Sequence, residues 1–251
     1  MIDQIQPEDA QDVEIATRSE DLSSPTALTE DLALAHLQKS DLAAEVIEEI
    51  AQNHGVMKSH KVRGMVAVHP HTPRRIALRL IRGFYTFELM RFALTPSASA
   101  DLRRVADEIL LSRIASITLG ERISLARRSS GLVAGALLVD KESVVWRAAL
   151  ENPRLTEIAI VKALQRNAAM PAFVECVSHH AKWSVRGEVR MALLRNAHTP
   201  LARAIEFARR LRPSQLRDVL HTSRIPERIK EYLRKSHRGG PGGNGSAVSD
   251  Q

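Results

Sequence analysis

The sequence predicts an all-α fold, an α-solenoid of about five helical units, and three observations predict it. Ala, Leu, Ile and Val dominate the apolar set while aromatics make up only 4% of the 251 residues, a balance suited to helices packed through small side chains. Five threonines, Thr29, Thr72, Thr118, Thr156 and Thr199, each open an amphipathic segment, and their successive separations are 43, 46, 38 and 43 residues. Within every segment the fifth and eighth residues after the threonine are apolar, which describes one buried stripe on a helix.

The chain opens on a polar, acidic stretch, residues 1–28, that ends in Ser23-Ser24-Pro25 and lacks a sustained helical period, so it reads as a disordered arm. The repeat domain then spans residues 29–236. At its start Thr29 leads the pair Leu34/Leu37, and a hydroxyl there can accept an orphan backbone N–H. Thr72-Pro73 leads Ala77/Leu80 and Thr199-Pro200 leads Ala204/Phe207, each with proline at the expected first helical position. Thr118 leads Ile123/Ala126 and has Glu121 at capping-box spacing, and Thr156 leads Val161/Leu164. The eleventh residue is Ser40, Gly83, Ser129, Asn167 or Arg210, and four of these five are types that help a helix stop.

Two further helices fit between consecutive threonines, for example Met170 to His180 and Ser184 to Asn196. The last helix of a unit ends alike in several places, at Val68-His69-Pro70, Glu151-Asn152-Pro153 and Arg195-Asn196-Ala197, where Asn suits a left-handed turn and proline blocks continuation. From residue 237 a second flexible tail carries Gly239-Gly240-Pro241-Gly242-Gly243-Asn244-Gly245. These glycines are not a phosphate loop, which needs a strand before it and a helix after it.

The spacing of the threonines, with endings such as Leu150-Glu151-Asn152-Pro153-Arg154-Leu155-Thr156, resembles HEAT and armadillo repeats and the leucine-rich-repeat variants. The likeness covers about residues 29–236 and implies a right-handed, curved stack of helices whose inner face binds an extended ligand. The leucine-rich-repeat variants can carry an iron-sulfur cysteine cluster. Here Cys176 stands alone, so no cofactor is carried over.

The same repeat phase gives the main candidate site. The tenth residue after each threonine is basic in all five units: Lys39, Arg82, Arg128, Arg166 and Arg209. On an inner face these side chains form a ladder suited to carboxylates or phosphates, with Arg75 and Arg79 extending it. A cation in a helix's last turn also answers the macrodipole, so end-capping explains the same pattern.

Charge is consistent with such a surface. Net charge is +7, yet residues 1–31 hold nine acidic side chains and one basic one, leaving +15 on the remainder. A body so basic attracts acidic proteins or nucleic acid, although 28 Arg against 8 Lys is also what a GC-rich coding composition produces. The acidic arm is a candidate to fold back over the basic face, or a plain solubilising leader.

Chemistry has less support. Cys176 and His180 form an i, i+4 pair and His69 and His71 flank Pro70, but no further metal ligands stand at known spacing, so no metal site is expected. No nucleophile elbow or triad signature surrounds Ser129, Ser130 or Cys176, and no catalytic residue is assigned. Trp146 and Trp183 suggest core packing, or partner anchors, or the HEAT-like alkylpurine DNA glycosylases, basic repeat proteins that pair a cleft tryptophan with an aspartate one helical turn on. The residues four after them are Leu150 and Gly187, so that pairing is missing. With no apolar run long enough to span a bilayer, the expectation is a cytoplasmic, non-catalytic scaffold for an acidic protein segment or other polyanion, with nucleic acid as the alternative partner.

Overall fold

The computed structural model describes residues 28–166 and 170–238. The expected acidic arm (apart from Leu28), the Gly-rich tail from Gly239 and the helix-stop residue Asn167 lie outside the described residues. Among those described there is no strand, and no helix is long and apolar enough to cross a membrane.

The helices are α1 (Glu30–Leu37), α2 (Ala44–Gln52), α3 (His60–Val68), α4 (Arg74–Arg82), α5 (Thr86–Leu94), α6 (Ala100–Arg113), α7 (Leu119–Arg128), α8 (Gly131–Leu137), α9 (Ser143–Leu150), α10 (Glu157–Arg166), α11 (Pro171–His179), α12 (Gly187–Arg195), α13 (Leu201–Arg209), α14 (Pro213–His221) and α15 (Glu227–Arg238), with a 3₁₀ turn at Val56–Lys58. None exceeds 14 residues. Helices so short are marginal alone, so their stability comes from packing. The last helix runs through His237 and Arg238, two residues past the boundary that the sequence suggests.

Each threonine-led helix, α1, α4, α7, α10 and α13, packs against the helix two further along the chain: α3, α6, α9, α12 and α15. The apolar pairs that define the stripe are buried or half-buried in all five. Other contacts also join near neighbours, among them α3 with α4, α6 with α8, α8 with α10 and α12 with α14. Two apolar clusters result. A small one gathers Ala33, Leu37, Ile47, Ile50, Val62, Val66 and Ile76, and a large one runs from Ala67 to Leu233. Leu80 of α4 packs against both.

The threonine caps divide into two kinds. The hydroxyls of Thr29, Thr118 and Thr156 accept from the N–H of Leu32, Glu121 and Ala159, each at 3.3 Å, and Glu121 completes the capping box. That exposed carboxyl is held below its ordinary value by the hydrogen bonds from the N–H and hydroxyl of Thr118. Thr72 and Thr199 do not cap, which corrects the sequence expectation. Their hydroxyls donate back to the carbonyls of Val66 at 2.5 Å and Leu193 at 2.6 Å. Pro73 and Pro200 have ψ of 132° and 134°, so each stands just before the helix rather than inside it. Proline disfavours helical backbone in the residue before it, which leaves the threonine hydroxyl turned towards the preceding helix.

A second correction concerns the ends of the third helices. Asn196 is extended, φ −93° and ψ 130°, not left-handed. Its value lies in its side chain. Asn196 donates to the Leu164 carbonyl at 3.2 Å, and Asn152 donates to Ala126 at 2.9 Å and Ser129 at 3.2 Å. His69 does the same for Lys39 at 2.9 Å, Arg113 for Phe84 at 2.7 Å and Arg82 at 3.0 Å, and His237 for Leu211 at 2.9 Å. In α4, α7 and α10 a last-turn carbonyl is thus held by a side chain from the end of the helix two further on, and after α1 and α13 the carbonyl held in the same way lies two residues beyond the helix. The last-turn carbonyls of a helix have no intrahelical partner, so in α4, α7 and α10 the clamp answers a demand of the helix end.

Candidate polyanion-binding surface

Arg82, Arg128, Arg166 and Arg209 are the last residues of α4, α7, α10 and α13, and Lys39 lies two residues beyond α1. All five side chains are exposed. Among the described residues none of them forms an ion pair or a side-chain hydrogen bond. In α4, α7 and α10 carbonyls that they might cap are bonded instead by the clamping side chains, and the Arg128 carbonyl also accepts from Arg154 at 3.4 Å. Hydrogen-bonded capping therefore does not occupy these cations. Their remaining local role is through the helix dipole, worth roughly 0.3–1 kcal/mol each.

The two supporting arginines differ. Arg75 donates to both carboxylate oxygens of Glu48, at 2.7 and 2.8 Å, whereas Arg79 is exposed with no ion-pair partner among the described residues. Both line one pocket with Glu48 and Gln52. Other basic residues are committed. Arg122 donates from its Nη1 to both carboxylate oxygens of Asp140, at 2.9 and 2.7 Å, and Arg203 and Arg210 both reach Glu206.

The tryptophans are core residues. Trp146 is 1% exposed and packs edge-on against Phe173 with ring centroids 5.4 Å apart. Trp183 is 2% exposed and its indole N–H donates to the Leu150 carbonyl at 2.9 Å. Neither offers a face for a partner. Cys176 is half-buried and burial pushes its thiol up, against the nearby charge of Arg147. His180 turns to Glu151 at 3.2 Å, and among the described residues no three His, Cys, Asp or Glu side chains gather as a metal site.

A feature that the sequence does not mark is a cavity of about 670 Å³ bordered by α1, α3 and α5. Its lining comes from three separate helices, so no local motif announces it. No protein-family model, no curated protein and no solved structure matches this chain.

Proposed function

We propose that the chain is a non-catalytic, right-handed α-solenoid of five three-helix units, of the HEAT or armadillo kind, that binds an acidic protein segment or other extended polyanion through Lys39, Arg82, Arg128, Arg166 and Arg209. The observation that carries this reading is the division of labour at the helix ends. One set of side chains binds carbonyls at or just beyond the helix ends, and a second, basic set is exposed and, among the described residues, without an ion-pair partner at the same repeat position. An exposed cation can pair with a carboxylate while both stay partly hydrated, a contact weak by itself, and its repetition adds valency.

The test is titration with poly-glutamate and with duplex DNA at two salt concentrations, using the full chain and the triple variant Arg82→Ala, Arg128→Ala, Arg166→Ala. The expected result is at least a tenfold loss of poly-glutamate affinity, with the triple Lys variant retaining most of it. Unchanged affinity in the Ala variant would sink the proposal. Tighter, strongly salt-dependent binding of duplex DNA would reassign the surface to nucleic acid.

A further inference from the structure

The cavity between α1, α3 and α5 has the build of a small-molecule site. Its floor is apolar, formed by Leu34, Leu37, Met65, Val68, Phe84 and Phe92, and its volume of about 670 Å³ lies within the range of ligand pockets. It sits where the two apolar clusters meet: Leu37 belongs to the small cluster, and Phe84 and Phe92 to the large one.

The wall is pinned by a polar bridge from α3 to α5. His60 Nδ1 lies 2.5 Å from Glu88 Oε1, the imidazole stacks on Tyr85 with centroids 5.4 Å apart, and the Tyr85 N–H donates to Glu88 at 2.8 Å. Burial works to raise the Glu88 carboxyl, but the Tyr85 N–H, His60 and Arg63 together hold it below its ordinary value. That carboxylate is therefore spoken for. His69, also on the lining, has both ring nitrogens engaged, with the Lys39 carbonyl and the His71 N–H. Lys61 and Arg91, by contrast, are exposed on the rim and have no ion-pair partner among the described residues. Among the described residues that line the cavity, the charge left over is positive.

A second, independent sign is Gly64. It lies in the middle of α3 and on the cavity wall, and a Cβ placed there meets nothing within 4 Å. No close approach requires glycine at this place, and glycine is among the poorest residues for a helix interior. What the missing side chain does provide is space in the cavity.

We propose that this cavity binds a small amphipathic carboxylate, its apolar body on the floor between α1, α3 and α5 and its head group between Lys61 and Arg91. None of the five helix-end cations lines the cavity, although Gln38 and Ser40, the neighbours of Lys39, do.

Calorimetric titration of the full chain with dodecanoate tests it, with dodecanol as the neutral match. The expected result is saturable one-to-one binding of dodecanoate, lost in Gly64→Leu while the circular dichroism and melting temperature hold or rise. The double variant Lys61→Gln, Arg91→Gln is expected to weaken dodecanoate at least tenfold and to leave dodecanol unchanged. Absence of saturable binding by the wild-type chain, or equal binding by Gly64→Leu, overturns the proposal. So does displacement of dodecanoate by a peptide of residues 1–27, or a dimer in sedimentation that Gly64→Leu dissociates, since either gives the cavity to protein.

Discussion

The Asn152 side-chain amide lies 2.9 Å from the carbonyl oxygen of Ala126, tying the end of α9 to the end of α7 across 26 residues of sequence. The same side chain is fully buried, donates to Ser129 as well, and accepts the Arg154 N–H at 2.8 Å. Asn152→Ala removes three hydrogen bonds and leaves buried backbone groups without partners. The expected loss is about 2–3 kcal/mol in urea unfolding. Asn196→Ala, which removes the bonds to Leu164 and His198, is expected to shift the midpoint in the same direction by less. A loss under about 0.5 kcal/mol at Asn152 would show that water replaces the clamp.

How far the sequence could be read is shown by these same residues. The threonine period and the apolar pairs located all five leading helices, because both follow from helix geometry within a single segment. The exposed cations at the helix ends were legible for the same reason. The clamp was not. His69, Arg113, Asn152, Asn196 and His237 are three amino-acid types, the first four at slightly different distances from the next threonine and the last with none after it, and only the spatial pairing of a helix with the one two further on makes them equivalent. A polar residue shortly before Thr72, Thr156 and Thr199 was the available signal, but reading it required knowing that it is buried. The Thr-Pro pairs misled because the N-cap rule and the restriction before proline compete locally, and the second prevailed.

Arg122 and Asp140 form the most buried ion pair among the described residues, with side chains 16% and 3% exposed. Asp140 also accepts the Glu142 N–H at 2.9 Å, which fixes the turn into α9. Removing one partner leaves an uncompensated charge, so Arg122→Ala is expected to destabilise by about 3 kcal/mol. Removing both is less harmful per residue. In a double-mutant cycle Arg122→Met with Asp140→Asn should recover part of the loss, and strict additivity in guanidinium unfolding would rule out direct coupling.

Asp107 of α6 is buried, and one of its carboxylate oxygens has no hydrogen-bond partner among the described residues. Burial raises its carboxyl above the ordinary 3.8, outweighing the hydrogen bond with Ser130 and the nearby Arg103. The folded chain therefore holds this proton more tightly than the unfolded chain does. Its stabilising contribution is complete below 3.8 and is lost as pH rises through the raised folded-state value. At neutral pH the ionised side chain is a burden that Asp107→Asn relieves. The variant is expected to melt higher than wild type at pH 7, with the advantage shrinking as the pH falls towards 4. A lower melting temperature at pH 7 would mean that the bond to Ser130 outweighs the burial.

Glycines 64 and 131 should respond oppositely to the same substitution. At Gly131, the first residue of α8, an added Cβ would lie 2.4 Å from the Arg154 carbonyl oxygen and 3.4 Å from its carbon. One turn on, a Cβ at Gly135 would lie 3.0 Å from that of Ala159, so α8 meets the start of α10 at backbone distance. Backbone cannot give way as a flexible side-chain end can, and Gly131→Ala is expected to destabilise by about 1–3 kcal/mol, the range of overpacked cores. Gly64 faces open cavity instead, and Gly64→Ala gains the helix propensity of alanine, roughly 1 kcal/mol, without a clash. Thermal melts of the two single variants decide the matter. A rise for Gly64→Ala beside a fall for Gly131→Ala assigns the first glycine to the cavity and the second to helix packing, while a fall for both would mean that α3 has a close neighbour at Gly64 and that the cavity is closed.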